Sequence, residues 1–154
     1  MATIGLVLSY IEFLLPINIG IPGIKLGLAN FIFLFALYKM DTKSAVIVNV
    51  LRIVLSGLLF SSAFGILYSL SGGILSMAVM IGFKKSSHLS IIGVSALGGI
   101  FHGIGQIGLA CFIMSTTKIL LYVPALTMSG IITGILIAII SLYLMENLQR
   151  LELN

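Results

Sequence analysis

Apolar residues occupy six stretches of this chain, and short segments rich in charge, glycine or proline separate them. The stretches cover about residues 2–15, 25–38, 44–60, 63–82, 89–114 and 120–145. A straight helix needs roughly 20 residues to cross the hydrocarbon core of a bilayer, so the last two stretches are long enough to cross with some tilt. The pattern predicts an all-α, polytopic membrane protein: one domain, residues 1–154, built as a bundle of six transmembrane helices.

The composition supports a lipid environment. Of the 154 residues, 60% are hydrophobic and 8% are charged, whereas soluble domains carry about 25% charged residues. A soluble fold of this size has too little interior to hide so much apolar surface, so we expect the lipid bilayer to surround the chain. The N-terminus lacks a basic region and a cleavage site, which predicts that the first stretch is a retained span.

The basic residues set an orientation. They are scattered in short loops, which favours a topological role over nucleic-acid binding. Five of them are predicted to lie on the same side of the membrane, because an even number of crossings separates the segments that carry them. They are Lys39, Lys43, Lys84, Lys85 and Arg150. Because basic loops stay in the cytoplasm, both termini are predicted to be cytoplasmic, with Lys25 and Lys118 facing out.

Arg52 is the most informative polar residue, because it lies in the middle of an otherwise apolar stretch. A charged side chain at that depth costs about 2.5–3.5 kcal/mol unless it is paired or faces a cavity or ligand. Asn49 and Ser56 share its helix face at three- and four-residue spacings. Three interpretations stay open: pairing with Glu12, contact with a ligand, and extension of the side chain to an interface.

The fifth stretch combines two signals on different faces. Ser95, Gly99 and Gly103 recur every four residues, a pattern of small side chains that lets another helix approach closely. His102 and Gln106 share a neighbouring face. They are predicted either to hydrogen-bond between helices or to contact a ligand.

The connection over residues 16–23 contains several residues that interrupt a helix. They are Pro16, Asn18, Gly20, Pro22 and Gly23. This segment is either an ordinary outer loop or a lid over an outward-facing pocket. Lys25 and Asn30 open the second helix beside it, where Lys25 either anchors the helix at the interface or neutralises an entering anion.

Several chemistries lack the residues that they require. A single cysteine and two histidines without a neighbouring ligand set argue against a structural metal, and no cofactor is predicted. Phosphate-binding loops and hydrolase or metalloprotease motifs are absent from the sequence. We therefore expect no catalytic activity, and any energy for transport must come from a partner or an ion gradient.

Four ordered stretches together resemble the Gx transporter family, whose members are often labelled heptaprenyl diphosphate synthase component I. The stretches run from Pro22 to Asn30, from Leu51 to Phe60, from Tyr68 to Met80, and from Gly93 to Gln106. The resemblance covers nearly the whole chain, as far as Thr133 and Gly134. That family is similar in helix number and size to the substrate-binding S components of energy-coupling factor (ECF) transporters.

The resemblance implies a location, partners and roles for particular segments. It implies the bacterial cytoplasmic membrane, a transmembrane T component and two ATPase subunits. It also implies that residues 16–23 form a gating loop, and that Ala2, Gly5 and Ser9 on the first helix meet the T component.

The leading hypothesis is a substrate-binding membrane subunit for a small molecule such as a flavin, a quinone precursor or an isoprenoid-like compound. The predicted ligand-binding residues are Arg52, Asn49, His102, Gln106, Lys25 and Asn30. Two alternatives stay open: a membrane accessory of electron transfer with a flavin or quinone redox partner, and a membrane companion of a prenyl diphosphate synthase. With four scattered acidic residues, the chain lacks the aspartate clusters that hold magnesium in such synthases.

Overall fold

The computed structural model describes residues 2–14, 30–85 and 89–152, and this part of the chain is helical with no strand. The helices are α1 (Ala2–Leu14), α2 (Asn30–Lys39), α3 (Thr42–Phe60), α4 (Ala63–Lys84), α5 (Ile91–Met114) and α6 (Val123–Glu152), and a 3-10 turn over Lys118–Tyr122 precedes α6. The predicted all-α class is confirmed.

Within the described part of the chain, four segments are long and apolar enough to cross a membrane. They are Thr42–Phe60, Ala63–Lys84, Ile91–Met114 and Lys118–Arg150. The other two helices are shorter, with 13 residues in α1 and 10 in α2. At 1.5 Å per residue, α2 extends about 15 Å, roughly half the thickness of the hydrocarbon core. These lengths fit a multi-pass membrane protein.

Polar capping residues define the start of three helices. Side-chain oxygens of Asp41, Ser62 and Ser90 accept hydrogen bonds from the backbone N–H three residues later, at 3.0, 3.2 and 3.2 Å. Such caps satisfy backbone donors that have no partner within the helix. They place the start of α3 two residues earlier than predicted, and the start of α5 two residues later.

The end of the last helix was predicted too early. The apolar stretch stops near residue 145, but α6 continues to Glu152. The added residues include Glu146, Gln149 and Arg150, which are exposed. Because Glu, Gln and Arg are good helix formers, the helix continues after its apolar pattern has stopped.

Helix α2 is buried on every side. Its residues from Ile32 to Leu37 are all buried, and Leu34, Ala36 and Leu37 expose 0% of their surface. A helix that is apolar all round and fully enclosed belongs to the core of a bundle. Phe33 of α2 packs in one cluster with Met77 of α4 and Ile137 of α6.

The helices pack on one another in a ring of definite order. Helix α5 lies between α4 and α6 and makes extensive interfaces with both. Helix α3 packs against α1, α2 and α4, and α2 also packs against α6, which closes the arrangement. Helix α1 packs mainly on α3 and is therefore peripheral.

Neighbouring contacts give the helix directions. Gly5 lies beside Arg52 near the start of α1, and Phe13 stacks on Phe60 at the far ends of the two helices, so α1 and α3 run parallel. Gly57 and Ile66 approach each other across the turn between α3 and α4, which run antiparallel.

Several basic residues lie at one end of the bundle. The Lys84 ammonium, at the end of α4, donates a hydrogen bond to the Leu37 carbonyl oxygen near the end of α2. It also lies 5.8 Å from the centre of the Tyr38 ring. This contact satisfies a carbonyl group at the negative end of the helix dipole. It brings the C-terminal ends of α2 and α4, with Lys39 and Lys85, to the same end of the bundle.

Candidate functional site: a polar cleft beside Arg52

Arg52 lies in the interior of the bundle. It is ten residues beyond the start of α3 and eight before its end, and it exposes only 7% of its surface. An ionised group in this position needs hydrogen-bond partners to offset the loss of hydration. The side chain does not extend to either end of the helix, so the interface interpretation is wrong.

Two asparagine side chains hold the guanidinium group. Nε and Nη2 of Arg52 donate to Oδ1 of Asn49 at 3.1 and 2.8 Å, and Nη2 also donates to Oδ1 of Asn30 at 3.2 Å. Asn49 is one helical turn before Arg52, so the two side chains lie side by side. Asn30 is the first residue of α2. The three residues, which we call the Arg52 cluster, tie α2 to α3.

Helix α1 packs against the Arg52 side chain. A Cβ atom on Gly5 would lie 3.1 Å from Cδ of Arg52, so the α1 backbone packs directly on the aliphatic part of this side chain. Glu12, two turns further along α1, exerts a Coulombic attraction on the guanidinium group. An ion pair with Glu12 and contact with a ligand were the two other interpretations of Arg52; the hydrogen bonds described above go to the neutral amides of Asn30 and Asn49.

A cleft opens next to the cluster, between α2, α3, α4, α5 and α6. The lining residues are Asn30, Phe33, Leu34, Asn49, Gly73, Ser76, Met80, Ser95, Gly98, Gly99, His102, Thr133, Gly134 and Ile137. Arg52 does not line this cleft itself, but both of its asparagine partners do. The arrangement places polar side chains from five helices around one space.

The cleft is narrow. Its volume is about 30 Å³. That volume holds one or two water molecules. Larger molecules fit only after the helices around the cleft move apart.

His102 and Gln106 have different surroundings, although they lie one turn apart on α5. His102 lines the cleft, and its Nδ1 atom is enclosed by protein. Gln106 exposes 3% of its surface and lies against α4, where a Cβ atom on Gly72 would come within 2.8 Å of its Cγ atom. The structure therefore brings His102 to the cleft with Asn30 and Asn49, and places Gln106 in the α4–α5 interface.

Small residues bring α5 into backbone contact with α6. The Ser95 hydroxyl donates to the Gly134 carbonyl oxygen at 2.7 Å, and a Cβ atom on Gly99 would lie 2.0 Å from the Gly130 carbonyl oxygen. One turn further, Gly103 lies against Leu126 of α6. These residues lie on the α5 face that meets α6, and Ser95 and Gly99 also line the cleft.

A second face of α5 packs as closely on α4. A Cβ atom on Gly105 would lie 2.6 Å from the Ser71 carbonyl oxygen, and one on Gly98 would lie 2.4 Å from Sδ of Met80. Sequence reasoning missed this second face. Its signal was the seven-residue spacing of Gly98 and Gly105, which repeats once per two helical turns.

Ser76 and Thr133 also line the cleft, although neither was a predicted site residue. Each is a hydroxyl residue close to glycines, Gly73 on α4 and Gly134 on α6. The signal available in the sequence was a glycine close to a hydroxyl residue within a membrane helix, because small residues let neighbouring helices pack closely.

Some predicted site residues lie outside the described part of the chain. They are Lys25 and the predicted loop residues Pro16, Asn18, Gly20, Pro22 and Gly23. Among the residues that the structure does describe, no group of three His, Cys, Asp or Glu side chains is placed to hold a metal ion.

The comparison with protein-family models gives one match. The model described as heptaprenyl diphosphate synthase component I matches residues 1–144. The chain belongs to this family. No curated protein and no solved structure matches the chain. The family match covers all of α1 to α5 and most of α6, and so includes both the Arg52 cluster and the cleft.

Proposed function

We propose that this member of the heptaprenyl diphosphate synthase component I family is a membrane subunit that binds a small molecule in the cleft beside the Arg52 cluster. The observation that carries the proposal is the burial of a guanidinium group, with two amides, next to a space lined by polar side chains from five helices. Membrane interiors retain such groups at a cost, and their usual reason is function.

The proposed topology has six crossings with both termini in the cytoplasm. Helices α1 and α3 run parallel, as they must if α2 crosses between them. The C-terminal ends of α2 and α4 lie together, with Lys39, Lys84 and Lys85 at that end. The positive-inside rule assigns this basic end to the cytoplasm of a bacterial cell.

The proposed cycle requires the cleft to open. A volume of about 30 Å³ cannot hold a flavin, a quinone precursor or an isoprenoid-like compound, the substrate classes that we consider. The cleft must therefore widen before it can hold such a compound. The contacts of α2 and α3 with their neighbours are less extensive than those among α4, α5 and α6. We therefore expect α2 and α3, still joined through Arg52, to move away from the other helices when the cleft opens.

Movement against a gradient would need energy from outside the chain. We propose that an ATP-driven complex, with a T component and ATPase subunits as in ECF transporters, supplies it. The chain itself is not proposed to be an enzyme. If the proposal holds, affinity purification from native membranes recovers a T component and ATPases, and substrate accumulation stops when ATP is depleted.

The family description favours a second candidate, a membrane companion of a prenyl diphosphate synthase. With four acidic residues in the chain, the magnesium site for diphosphate would have to come from a soluble catalytic subunit. In that case the same purification recovers a soluble prenyl transferase. Recovery of flavin or quinone redox proteins instead would favour a role in electron transfer.

A further inference from the structure

The cleft beside the Arg52 cluster has two chemically different walls. One wall carries the amides of Asn30 and Asn49, and the other carries hydroxyl residues of α4, α5 and α6. The hydrogen bonds that each wall makes inside the protein decide what it can offer to a ligand.

On the first wall, Arg52 fixes the orientation of both amides. A guanidinium group only donates hydrogen bonds, so it must face the carbonyl oxygen of an amide and not its nitrogen. Oδ1 of Asn49 and Oδ1 of Asn30 both accept from Arg52. The NH₂ groups are therefore turned away from the guanidinium group. Because both residues line the cleft, we infer that this wall presents N–H donors.

On the second wall, the hydroxyl protons are already used. Ser76 of α4 donates to Sδ of Met80 at 3.6 Å. Ser95 donates its proton to the Gly134 carbonyl oxygen at 2.7 Å, and Thr133 donates to the Gly130 carbonyl oxygen at 3.3 Å. A hydroxyl group has one proton and two lone pairs. These hydroxyl oxygens are therefore left as acceptors.

From these two walls we propose that the cleft selects an uncharged ligand edge that carries a carbonyl oxygen next to an N–H group, as in an amide or imide. The carbonyl oxygen would face the amide wall, and the N–H would face the hydroxyl wall. A carboxylate or phosphate would satisfy only the donor wall and would place its charge against hydroxyl lone pairs. The inference rests on the proposed function, since it names the ligand class of the same cleft.

In this account Arg52 is a positioning residue. It acts through the two asparagines and does not touch the ligand. Asn49→Asp separates this role from a structural one: the aspartate still accepts hydrogen bonds from Arg52, but it has lost the N–H donors. Ser141→Ala is the matched control, because Ser141 is fully buried, donates to Ile137 on its own helix and lies outside the cleft lining.

The test uses three small aromatic probes of similar shape: phthalimide, N-methylphthalimide and phthalate. Their dissociation constants are measured by ligand-detected NMR on the full chain in lipid nanodiscs. We expect phthalimide to bind at least about tenfold more tightly than either of the others, a difference of about 1.4 kcal/mol. Asn49→Asp should remove this preference without lowering the thermal stability of the protein, whereas Ser141→Ala should retain it.

The possible failures are distinguishable. If phthalate binds as tightly as phthalimide, the amide or imide class is wrong while binding of small molecules in the cleft stands. If the preference survives in Asn49→Asp, the donor wall is wrong. If none of the three probes binds to the wild-type protein, the amide or imide class is overturned, whereas the proposed function is decided by the partners recovered from native membranes.

Discussion

The two sides of the bundle hold their helices together in different ways. Helices α4, α5 and α6 meet through glycines and serines, with backbone against backbone, as at Gly99 and Gly130. Helices α1, α2 and α3 meet around a long charged side chain, whose hydrogen bonds join Asn30 and Asn49. Lipid gives no hydrophobic force between helices, so packing and hydrogen bonds must supply the stability. The close backbone contacts at the glycines allow little movement between α4, α5 and α6. Helices α2 and α3 are joined through side chains, which allow more movement.

We propose that the glycine contacts of the first side mainly stabilise the bundle, and that the Arg52 cluster of the second side mainly serves ligand binding. Substitutions in the glycine contacts should lower the stability of the bundle. Substitutions in the Arg52 cluster should change binding more than stability.

The largest effect on stability is expected for Gly99→Ala. Its new Cβ atom would lie 2.0 Å from the Gly130 carbonyl oxygen, and the obstacle is backbone that cannot rotate away. We expect the free energy of unfolding to fall by about 2 kcal/mol or more, since overpacking typically costs about 1–3 kcal/mol. Unfolding in mixed micelles with increasing SDS measures it.

The control for this prediction is Gly108→Ala on the same helix. Nothing lies within 4 Å of a Cβ atom at Gly108, and alanine is favoured over glycine in a helix by about 1 kcal/mol. Gly108→Ala should therefore be neutral or stabilising. Equal losses in the two variants would show that the α5–α6 contact is not as close as described.

Arg52→Met should separate binding from folding. Removing the charge from the membrane interior releases about 2.5–3.5 kcal/mol. Leaving the amide oxygens of Asn30 and Asn49 unsatisfied costs about 1–3 kcal/mol for each. These terms nearly cancel, so we expect little change in the SDS unfolding midpoint, together with at least a tenfold loss of bound ligand.

A conservative variant sharpens the Arg52 result. Arg52→Lys retains the charge but loses the planar fork that reaches two amide oxygens at once. It should retain stability and lose most of the binding. A Lys variant that binds like the wild type would mean that charge alone matters, and that the orientation of the amides does not.

A smaller effect is expected for Gly5→Ala on α1. The new Cβ atom would lie 3.1 Å from Cδ of Arg52, but this neighbour is part of a flexible side chain. We expect a loss below about 1 kcal/mol, since the side chain can yield by a few tenths of an ångström. If Gly5→Ala is as destabilising in SDS as Gly99→Ala, the two sides of the bundle do not differ in rigidity.

The smallest effect concerns Asp41, which lies between α2 and α3. The hydrogen bond from Ser44 lowers the pKa of the Asp41 carboxyl group. Since the folded pKa is the lower one, the cap contributes stability above the ordinary carboxyl pKa of about 3.9, and this contribution is lost as the pH falls through the lowered value.

Asp41→Asn provides the control for this pH dependence. Asparagine caps a helix without titrating in this range. The difference in unfolding midpoint between wild type and Asp41→Asn should therefore change between pH 5 and pH 3, with the wild type losing stability at the lower pH. A difference that is constant over this range would contradict the role of the cap.

Much of the fold could be predicted from the sequence because lipid imposes a simple rule. Long apolar runs must become helices, since a backbone in hydrocarbon has to satisfy its own hydrogen bonds. The runs therefore predicted α3, α4 and α5 within two residues at each end. The end of α6 was missed because exposed Glu146 and Arg150 continue the helix without an apolar pattern.

The site was predictable in part. Arg52 and Asn49 share a helix, so their spacing predicted that they lie on one face, and the structure adds the hydrogen bonds between them. Asn30 was named as a site residue, but its bond to Arg52 joins two helices, and no spacing within one helix predicts that. The same limit applies to Ser76 and Thr133, which reach the cleft from separate helices. Which helix faces of a bundle meet depends on packing order, and sequence periodicity gives only the faces themselves.

Mass spectrometry of small molecules extracted from the purified protein tests the central claim most directly. Wild type, Arg52→Ala and Ser141→Ala would be purified in parallel from native membranes, each shown to be folded by its elution profile. We expect one compound to accompany the wild type and the Ser141→Ala variant in near-equal amounts, and to be absent from Arg52→Ala. The same compound bound at the same level in all three would contradict the claim that the Arg52 cluster organises the binding site.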